Sequence, residues 1–317
     1  MLHEHHVVQG VVTEHLDAAE RYAEAGAALR AAAASNERER LLHDALVEAW
    51  RTRQTAVFDG LGVIYEPRVI DGCYRAVTGG DERHRADALE LIEESTSRQA
   101  ARRLEPILRV LPDDAAPPTS GRRAEVLSAL VRDDDPWVAR CAAYSGKNGG
   151  GDETMQLIER VFLLQRIDVF STTPSHHLAR IALLASEVEA GAGAVLLSGS
   201  AAADAMYVVI EGELRADYPD GSSRPVKPGE AVGALAVLDD APLGLEVRVI
   251  RASRLLRLTR RELRDLLQDH PDLGVSLLQG MAKRLRLFVE ARPALVPPTS
   301  RPTLVRPGDR GLEQRGQ

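Results

Sequence analysis

The chain has 317 residues, of which 44% are hydrophobic and 27% are charged, and its formal net charge is −7. This length and composition predict a globular protein with two domains, and the net negative charge argues against a general nucleic-acid binder. No apolar run reaches the roughly 18 residues that a membrane-spanning helix needs, and the N-terminus lacks the features of a secretory signal, so we expect a cytoplasmic protein.

The N-terminal half predicts helices that pack in pairs. Ala-rich sequence with charges at helical intervals predicts a helix from Thr13 to about Ala34. Ser35 or Asn36 can serve as the N-cap of a second helix, whose apolar residues recur at three- and four-residue steps, and we expect the two helices to pack antiparallel. The glycines at 60 and 62 and the dipeptide Glu66-Pro67 are expected to weaken or end the second helix.

Two further segments share one helical pattern. The first predicted helix begins at Asp81 as its cap, and the second begins at Asp135, with Pro136 at the favoured first helical position. The pattern of an Asp, an apolar residue, an Arg and an Ala resembles HEAT repeats, whose helical hairpins stack because no single hairpin buries its own apolar face. The residues assigned to the buried sides are Ala86, Leu89 and Ile92 in the first helix and Val138, Cys141 and Ala142 in the second.

The glycine-rich segment from Ser145 to Asp152 is the predicted linker between two domains, at residues 1–150 and 151–291. A helix from Glu153 to Leu164 is predicted directly after it. The Pro- and Arg-rich tail at 292–317 has no apolar period and is predicted to be disordered. Two more helices are predicted before this tail, from Arg260 to Leu267 and from Asp272 to about Ala291.

The segment from Tyr207 to Leu256 predicts a small antiparallel β unit. Gly212 and the PDG sequence at 219–221 are typical of β-turns between alternating strands. The sequence PGE at 228–230 predicts a turn into the small-residue segment Gly233 to Leu238, which is long enough for one helical turn. The amides of that turn are exposed toward an anion in this interpretation, so the segment is a candidate phosphate cradle.

Five sequence marks occur in order between about Leu164 and Leu287. They are the lead-in VFLLQRIDVFSTTPSHHLARIA, the glycines of LLSGSAAADAMYVVIEGEL, the PGE turn, the segment GALAVLDDAP and the closing RLLRLTRRELRDLL. Together they resemble the cyclic nucleotide-binding domain, the β-roll of the catabolite activator protein and of kinase regulatory subunits. The resemblance implies an α+β fold, in which an N-terminal all-α HEAT-like helical domain precedes an antiparallel β-roll with flanking helices. The same order resembles the C-terminal part of some bacterial transporter-like membrane proteins.

The resemblance also implies a set of ligand contacts. In family members that bind a cyclic nucleotide, a Glu holds the ribose hydroxyl, backbone amides hold the phosphate, and an Arg followed by a hydroxyl residue neutralises the phosphate. Here Gly233 matches the family glycine, but Ala234 stands at the Glu position, Leu243 at the Arg position and Gly244 at the hydroxyl position. The candidate ligand-binding residues are therefore Gly233, Ala234, Leu235, Ala236, Leu243 and Gly244.

The functional prediction depends on the absence of the Glu and Arg side chains that the family uses to bind a cyclic nucleotide. Loss of two charge-assisted hydrogen bonds would cost roughly 3–6 kcal/mol, or about 100- to 10,000-fold in affinity. Glu246 and the Asp239-Asp240 pair add negative charge nearby, which disfavours a phosphate. Arg248 and Arg251 are candidate substitutes for the missing family Arg. For Arg248, however, an exposed ion pair with Glu246 on the same strand is favoured. The sequence predicts a non-enzymatic regulatory or scaffold protein with a degenerate binding domain. The alternative is a sensor of a cyclic nucleotide or small anion that signals to its helical domain through residues 153–164.

Few other residues suggest chemistry. The HEHH sequence at 3–6 offers Zn or Ni ligands together with His15, but a flexible polar chain end is favoured, and no metal or other cofactor is predicted. Cys73 and Cys141 lie far apart and are expected to be reduced, partly buried thiols. His176-His177 is expected to be solvated at a helix start. No acid/base pair and no nucleophile–histidine arrangement stands out, so no enzyme is predicted.

A phosphate-binding loop is rejected at Gly146-Lys147, because that motif needs a Gly where Cys141 stands and a Ser or Thr where Asn148 stands. The helix at 272–291 carries an apolar stripe that either forms a homodimer seam or, as favoured, covers the protein's own domains. No helix-turn-helix follows this helix, so DNA binding by that route is not expected. An unidentified protein partner is expected. The stripe consists of Leu278, Met281, Leu285 and Phe288.

Overall fold

The computed structural model describes residues 2–34, 36–79, 82–95, 102, 104, 120–146, 151–199, 202–238, 242 and 244–290. A helical N-terminal region precedes an antiparallel sheet with flanking helices, which confirms the predicted α+β class. The N-terminal helices are α1 (Leu2–Ala33), α2 (Glu37–Ile64), α3 (Pro67–Gly79), α4 (Glu82–Ser95), α5 (Ser120–Leu130) and α6 (Pro136–Ser145). The remaining elements are α7 (Asp152–Gln165), α8 (Ser175–Leu184), β1 (Ser186–Ala190), β2 (Val195–Leu197), β3 (Ala205–Asp217), β4 (Ser223–Val226), β5 (Ala231–Val232), β6 (Glu246–Thr259), α9 (Arg260–Asp269) and α10 (Pro271–Glu290).

Helices α1 and α2 form an antiparallel hairpin, as predicted. Arg53 Nη1 lies 3.0 Å from His15 Nδ1, and Gly60 lies against Val12, so the end of α2 packs on the first half of α1. A Cβ at Gly60 would overlap Val12 Cγ2. The glycine therefore sets how closely the two helix backbones approach each other.

The boundaries of α2 match the predicted N-cap and the predicted Glu66-Pro67 signal, but not the predicted glycine signal. Asn36 is the N-cap, and its side chain accepts a hydrogen bond from the Arg38 backbone N–H at 3.0 Å, as predicted. The glycines at 60 and 62 lie inside the helix, so the prediction that they end it is wrong, while the prediction that they weaken it stays a prediction. The helix instead ends at Ile64, directly before the Glu66-Pro67 dipeptide.

The chain start differs from the prediction, whereas the cysteines agree with it. Helix α1 already begins at Leu2, so the predicted flexible chain end is wrong for the backbone of residues 3–6, whose side chains lie outside the described part. Cys73 and Cys141 are both free and buried. Burial raises the pKa of the Cys141 thiol well above its usual value, so this thiol is a packing group.

The start of α6 confirms the predicted capping pattern. The Asp135 carboxylate accepts hydrogen bonds from the backbone N–H groups of Trp137 and Val138, at 2.9 and 3.2 Å. Pro136 occupies the first helical turn, where its missing N–H costs nothing. The predicted inward residues Val138, Cys141 and Ala142 are all buried.

Helix α4 confirms its predicted place but not its predicted face. Ile92 is buried as expected, but Ala86 is exposed and Ala88 faces the core instead. The proposed cap Asp81 and the side chain of Leu89 lie outside the described residues. The stacking of HEAT-like hairpins stays a prediction.

The sheet has the strand order β1-β6-β3-β4, with β2 paired to β6 and β5 paired to β3, and every pairing is antiparallel. Its two faces contact different apolar groups. Met206 and Val208 of β3 pack into the large core that α1–α10 share, whereas Tyr207 and Val209 line a second cluster inside the roll. The division into domains at 1–150 and 151–291 stays a prediction, since the large core includes residues on both sides of it.

A glycine bulge interrupts β3. Gly212 has φ +97° and lies within the strand, so the β-turn predicted there is wrong. A Cβ on Gly212 would overlap Ser253 Oγ, and the β3–β6 register shifts on both sides of this position. Beyond the bulge, Leu214 and Ala216 point into the roll. The predicted turn at 219–221 is confirmed, with Gly221 at φ +82°.

The two helices after the sheet are confirmed, and the first is strongly capped. The Thr259 hydroxyl accepts a hydrogen bond from the Glu262 backbone N–H at 3.1 Å, while the Glu262 carboxylate accepts one from the Thr259 backbone N–H at 2.8 Å. In α10, Leu273 and Leu277 are buried, and a Cβ at Gly280 would overlap Thr172 Oγ1 of the segment before α8. The closing helix therefore packs back onto the lead-in to the sheet.

The apolar stripe of α10 is exposed. Leu278, Met281 and Leu285 have 67%, 38% and 63% of their surface accessible, so the favoured interpretation, in which the stripe covers the protein's own domains, is wrong for these residues. The side chain of Phe288 lies outside the described part. Within the described ranges, no helix is both long and apolar enough to cross a lipid bilayer.

We expect Gly60→Ala to lower the free energy of unfolding by about 1–3 kcal/mol, because the added methyl group forces α1 and α2 apart at Val12. The matched control is Gly62→Ala, which has no heavy atom within 4 Å of the new Cβ and gains up to about 1 kcal/mol of helix propensity. Urea unfolding followed by circular dichroism measures both variants. Equal stability of the two variants would contradict the close-approach role of Gly60.

Candidate functional site

A cavity of about 490 Å³ opens beside the predicted phosphate cradle. Its walls come from three places: residues 166–169 between α7 and α8, the PGE turn at 228–230, and the segment that follows β5. Ala216, Tyr218 and Arg224 close the side formed by β3, β4 and their connection. The cavity therefore lies between the sheet and the chain that leads into it.

The predicted helical turn after β5 is present as a single turn. The Val237 backbone N–H donates to Gly233 O at 3.1 Å, and the Leu238 N–H donates to Leu235 O at 2.9 Å. Gly233 has φ +76°, and a Cβ there would lie 2.9 Å from Ala205 O. Only glycine fits this position without strain, which explains the residue that anchors the turn.

The structure brings together only part of the predicted site. Gly233, Ala234 and Leu235 line the cavity, while Ala236 is buried in the cluster inside the roll. Leu243 lies outside the described residues. Gly244 is exposed at φ +70° and does not line the cavity, where Leu245 takes part instead.

Two arginines that the sequence did not single out line the cavity. Arg224 Nη1 lies 3.4 Å from Glu230 Oε1, and Glu230 Oε2 accepts a hydrogen bond from the Lys227 backbone N–H at 2.7 Å. Arg166 extends to the PGE turn, and its guanidinium has no ion pair within the described part of the chain. Asp168 brings a second carboxylate, so among the described lining residues two cations and two anions face the cavity.

The two arginines considered as substitutes for the family Arg form ion pairs away from the cavity. Arg248 pairs with Glu246 on its own strand, as the favoured interpretation states, and Arg251 Nε lies 3.5 Å from Glu213 Oε2. Neither arginine lines the cavity. The sequence alone could not place Arg166 there, because it lies outside the sheet and reaches the cavity only through the packing of the lead-in segment.

The cradle is tied to the helix that follows the sheet. Arg260, the first residue of α9, donates from Nη2 to Ala203 O at 2.6 Å and to Ala236 O at 2.5 Å. Its backbone N–H donates to Asp204 O at 2.8 Å. One side chain thus connects the turn after β5 with the start of the closing helices.

A second polar cluster joins the N-terminal helices to the lead-in. Glu48 of α2 accepts hydrogen bonds at Oε1 from the Ser175 N–H (2.7 Å) and at Oε2 from the Ser175 hydroxyl (2.9 Å) and the His176 N–H (3.1 Å). His176 Nδ1 lies 2.9 Å from Glu48 Oε2. Burial alone would raise the pKa of Glu48, but the hydrogen bonds from His176 and Ser175 keep it below its usual value. Trp137 Nε1 of α6 also donates to Ser175 Oγ, at 2.8 Å.

The adjacent histidines are packed, so the prediction that both are solvated is wrong. His177 is buried and lies 3.6 Å, Nε2 to Oδ2, from Asp272 at the start of α10. Burial and the neighbouring His176 lower the pKa of His177 to about 4. His176 is half-buried, and its ring centroid lies 4.0 Å from that of His177. These residues occupy the first turn of α8, as predicted.

Comparison with known proteins identifies the sheet region. Residues 187–270 match the sequence profile of the cyclic nucleotide-binding domain. These residues form a cyclic nucleotide-binding domain. It comprises all six strands from Glu187 onward and most of α9, and it contains every predicted ligand-binding residue and the whole cavity wall except residues 166–169. A regulatory or sensor role follows from the presence of this domain.

Similar proteins match the same part of the chain. The lysophospholipase nte1 of Neurospora crassa is 30% identical over 109 residues, which cover 32% of this chain and 7% of that protein. The lysophospholipase nte1 of Aspergillus terreus is 31% identical over 108 residues, with coverage of 32% and 7%. The chain thus spans 7% of the length of these curated relatives.

Two solved structures are also similar to part of this chain. The N-terminal domain of a transcriptional regulator from Streptomyces coelicolor is 28% identical, covers 41% of this chain and 93% of that one, and has a TM-score of 0.37. The regulatory domain of Toxoplasma gondii PKA with cAMP is 28% identical, covers 38% and 47%, and has a TM-score of 0.33.

We expect Glu48→Ala to lower the free energy of unfolding by about 2–4 kcal/mol, because the first N–H groups of α8 and the Ser175 hydroxyl lose their acceptor. Asp44→Asn is the matched control, since this exposed carboxylate lies one turn earlier on the same face of α2 and should change stability by less than about 0.5 kcal/mol. Urea unfolding of the full chain tests both. A Glu48 variant as stable as the control would refute the capping role.

Proposed function

We propose that the chain is a non-enzymatic, cytoplasmic regulatory or scaffold protein whose cyclic nucleotide-binding domain no longer holds a cyclic nucleotide by the family's side-chain contacts. The observation that carries this proposal is Ala234. It lines the cavity directly after Gly233, where the resemblance implies a Glu for the ribose hydroxyl, and a methyl group offers no acceptor. The proposed ligand-binding residues are accordingly reduced to backbone contacts at Gly233, Ala234 and Leu235.

The charges around the cavity support a weakened site. A cyclic phosphate needs a net positive environment, but Arg224 pairs with Glu230, and Asp168 faces the same space as Arg166. Among the described lining residues the positive and negative charges balance, so a phosphate that binds Arg224 would disturb its ion pair with Glu230. Two missing charge-assisted contacts correspond to about 100- to 10,000-fold in affinity.

The polar contacts outside the cavity suggest why such a domain is retained. Arg260 connects the turn after β5 to α9, and Glu48 connects α2 to the first turn of α8. Within the proposed division into a helical domain at 1–150, a binding domain at 151–291 and a tail at 292–317, the Glu48 contacts join the helical domain to the segment that enters the sheet, and the Arg260 contacts join the cradle to the helix that leaves it. The Glu48 contacts give the two proposed domains a packed polar connection through which a signal would pass.

A sensor of a small anion is the second candidate function, and Arg166 is the observation that favours it. This guanidinium lines the cavity without an ion pair in the described part of the chain. A small anion that needs one cation and the backbone N–H groups would be held by Arg166, without the ribose contacts that Ala234 lacks.

A second copy of this chain is the proposed partner of α10. Leu278, Met281 and Leu285 follow three- and four-residue steps on one face, the spacing of a two-helix seam. Apolar side chains this exposed gain free energy when a matching helix covers them, and an identical helix presents the same spacing.

Isothermal titration of the full chain with cyclic AMP and cyclic GMP should give dissociation constants weaker than about 10 µM. The double variant Ala234→Glu, Leu243→Arg should bind at least about 100-fold more tightly, because it restores the two side chains that the family uses. Each single variant and Leu235→Glu serve as controls for charge placed nearby. Wild-type binding tighter than 10 µM would falsify the degenerate-domain proposal. Phosphate binding that Arg166→Gln abolishes, but exposed Arg261→Gln does not, would instead support the anion sensor.

Light scattering after size exclusion should show a dimer of the wild-type chain, and the pair Leu278→Glu, Leu285→Glu should shift it to monomer, because buried carboxylates in the seam lack partners. The control Leu287→Glu changes an equally exposed apolar residue, 59% accessible, that lies off this face. A monomeric wild-type chain at all concentrations, or dissociation by the control variant as well, would rule out this seam.

A further inference from the structure

Two histidines and a carboxylate meet where the first turns of α8 and α10 face each other. His176, His177 and Asp272 each bring one potential ligand atom within 4.8 Å of the other two. His177 Nε2 lies 3.6 Å from Asp272 Oδ2. Two ligands held about 2.1 Å from a tetrahedral Zn²⁺ lie about 3.4 Å apart. The observed separation is too long for a hydrogen bond but fits two ligands of one metal ion.

His177 is a buried polar side chain that no described residue satisfies. Its side chain is 4% accessible, and its Nδ1 atom has no hydrogen-bond partner within the described ranges. Buried polar groups in folded proteins almost always have a partner. A cation at His177 Nε2, held also by Asp272, gives the buried ring a polar partner in place of the long 3.6 Å contact.

His176 is oriented by a carboxylate. Its Nδ1 atom is held by Glu48, which leaves Nε2 available for a ligand. A carboxylate on the second ring nitrogen is the usual companion of a metal-bound histidine, because it fixes the ring and raises its basicity. Glu48 is itself held by the Ser175 and His176 N–H groups, so the orientation of the ring is set before any ligand arrives.

The cluster is open to solvent on one side. A cavity of about 500 Å³ is lined by His176, Asp272, Glu48 and Arg180, and the Asp272 side chain is 61% accessible. Arg180 Nη1 lies 3.7 Å from Asp272 Oδ2 and competes with a metal ion for this carboxylate. The same Nη1 atom also lies 3.2 Å from His270 Nδ1, and the Arg180 side chain is 39% accessible.

We propose that His176, His177 and Asp272 bind a divalent transition-metal ion of the Zn²⁺ type, with a water molecule from the cavity as the fourth ligand. Glu48 acts as the positioning residue for His176. Two imidazoles and one carboxylate are a ligand set that suits Zn²⁺. They do not suit Ca²⁺ or Mg²⁺, because these ions prefer oxygen ligands. The ion joins the helix that enters the cyclic nucleotide-binding domain to the helix that leaves it.

The test uses the full chain without an affinity tag and with His3, His5 and His6 replaced by Ala, which removes the other histidine cluster. Zinc titration by calorimetry should show one equivalent per chain, and Co²⁺ should give the visible absorption of a tetrahedral site. Zinc at about 100 times its dissociation constant should raise the melting temperature by roughly 5 °C. Asp272→Asn should weaken zinc binding by at least about 10-fold, whereas Asp269→Asn, an exposed carboxylate at the end of α9, should not change it.

Arg180→Gln separates a metal site from a simple ion-pair contact. If Asp272 is a metal ligand, removal of the competing guanidinium should strengthen zinc binding several-fold. Equal zinc affinity in the Asp272→Asn and Asp269→Asn proteins, with both folded by circular dichroism, would overturn the proposal. So would loss of all zinc binding on replacement of the three N-terminal histidines.

Discussion

The carboxylate of Glu48 holds together the parts of this molecule that matter most for function. Helix α8 begins after Pro174, which offers no side-chain cap, and the residue that satisfies its first N–H groups lies 127 positions earlier in the chain. A largely buried carboxylate is costly unless several donors surround it, and here the Ser175 and His176 groups supply them. Because α8 leads directly into β1, the orientation of the binding domain depends on a residue of the N-terminal helices.

The segment that leads into the sheet therefore contacts other helices on two sides. On one side Ser175 connects α2 and α6, through Glu48 and Trp137. On the other side α10 packs against the same segment, where Gly280 touches Thr172 and Asp272 approaches His177. The helices before and after the cyclic nucleotide-binding domain thus meet at one place, away from the ligand cavity.

Local signals could be predicted from the sequence, and long-range ones could not. The caps at Asn36 and Asp135 act within three residues, so a side chain of the right type in the right place was enough. Gly233 was also found, since its φ of +76° leaves little alternative to glycine. The exposure of the α10 stripe depended on which surfaces the rest of the chain could cover. Periodicity alone gives an apolar face without its partner.

The candidate site likewise combines residues that local sequence signals mark with residues that only long-range packing brings together. Ala234 lines the cavity because it follows the glycine turn, which the sequence marks, whereas Arg166 reaches the cavity from outside the sheet. The pair His176-His177 carried no spacing typical of a metal site. Its third candidate ligand, Asp272, comes from a helix beyond the whole sheet, and its orienting carboxylate comes from α2. Such clusters exist only in the folded chain.

The bulge at Gly212 has a consequence for how the sequence of β3 can change in length. Before the bulge, odd-numbered residues such as Tyr207 face the interior of the roll, and after it even-numbered residues such as Leu214 do. The strand keeps its apolar interior only because one residue is absorbed at Gly212, where Ser253 Oγ accepts the Glu213 N–H. Without the bulge, the odd spacing between Val209 and Leu214 would turn one half of the strand inside out. Loss or gain of a single residue in this segment therefore removes the need for the bulge, whereas a change of two residues keeps it.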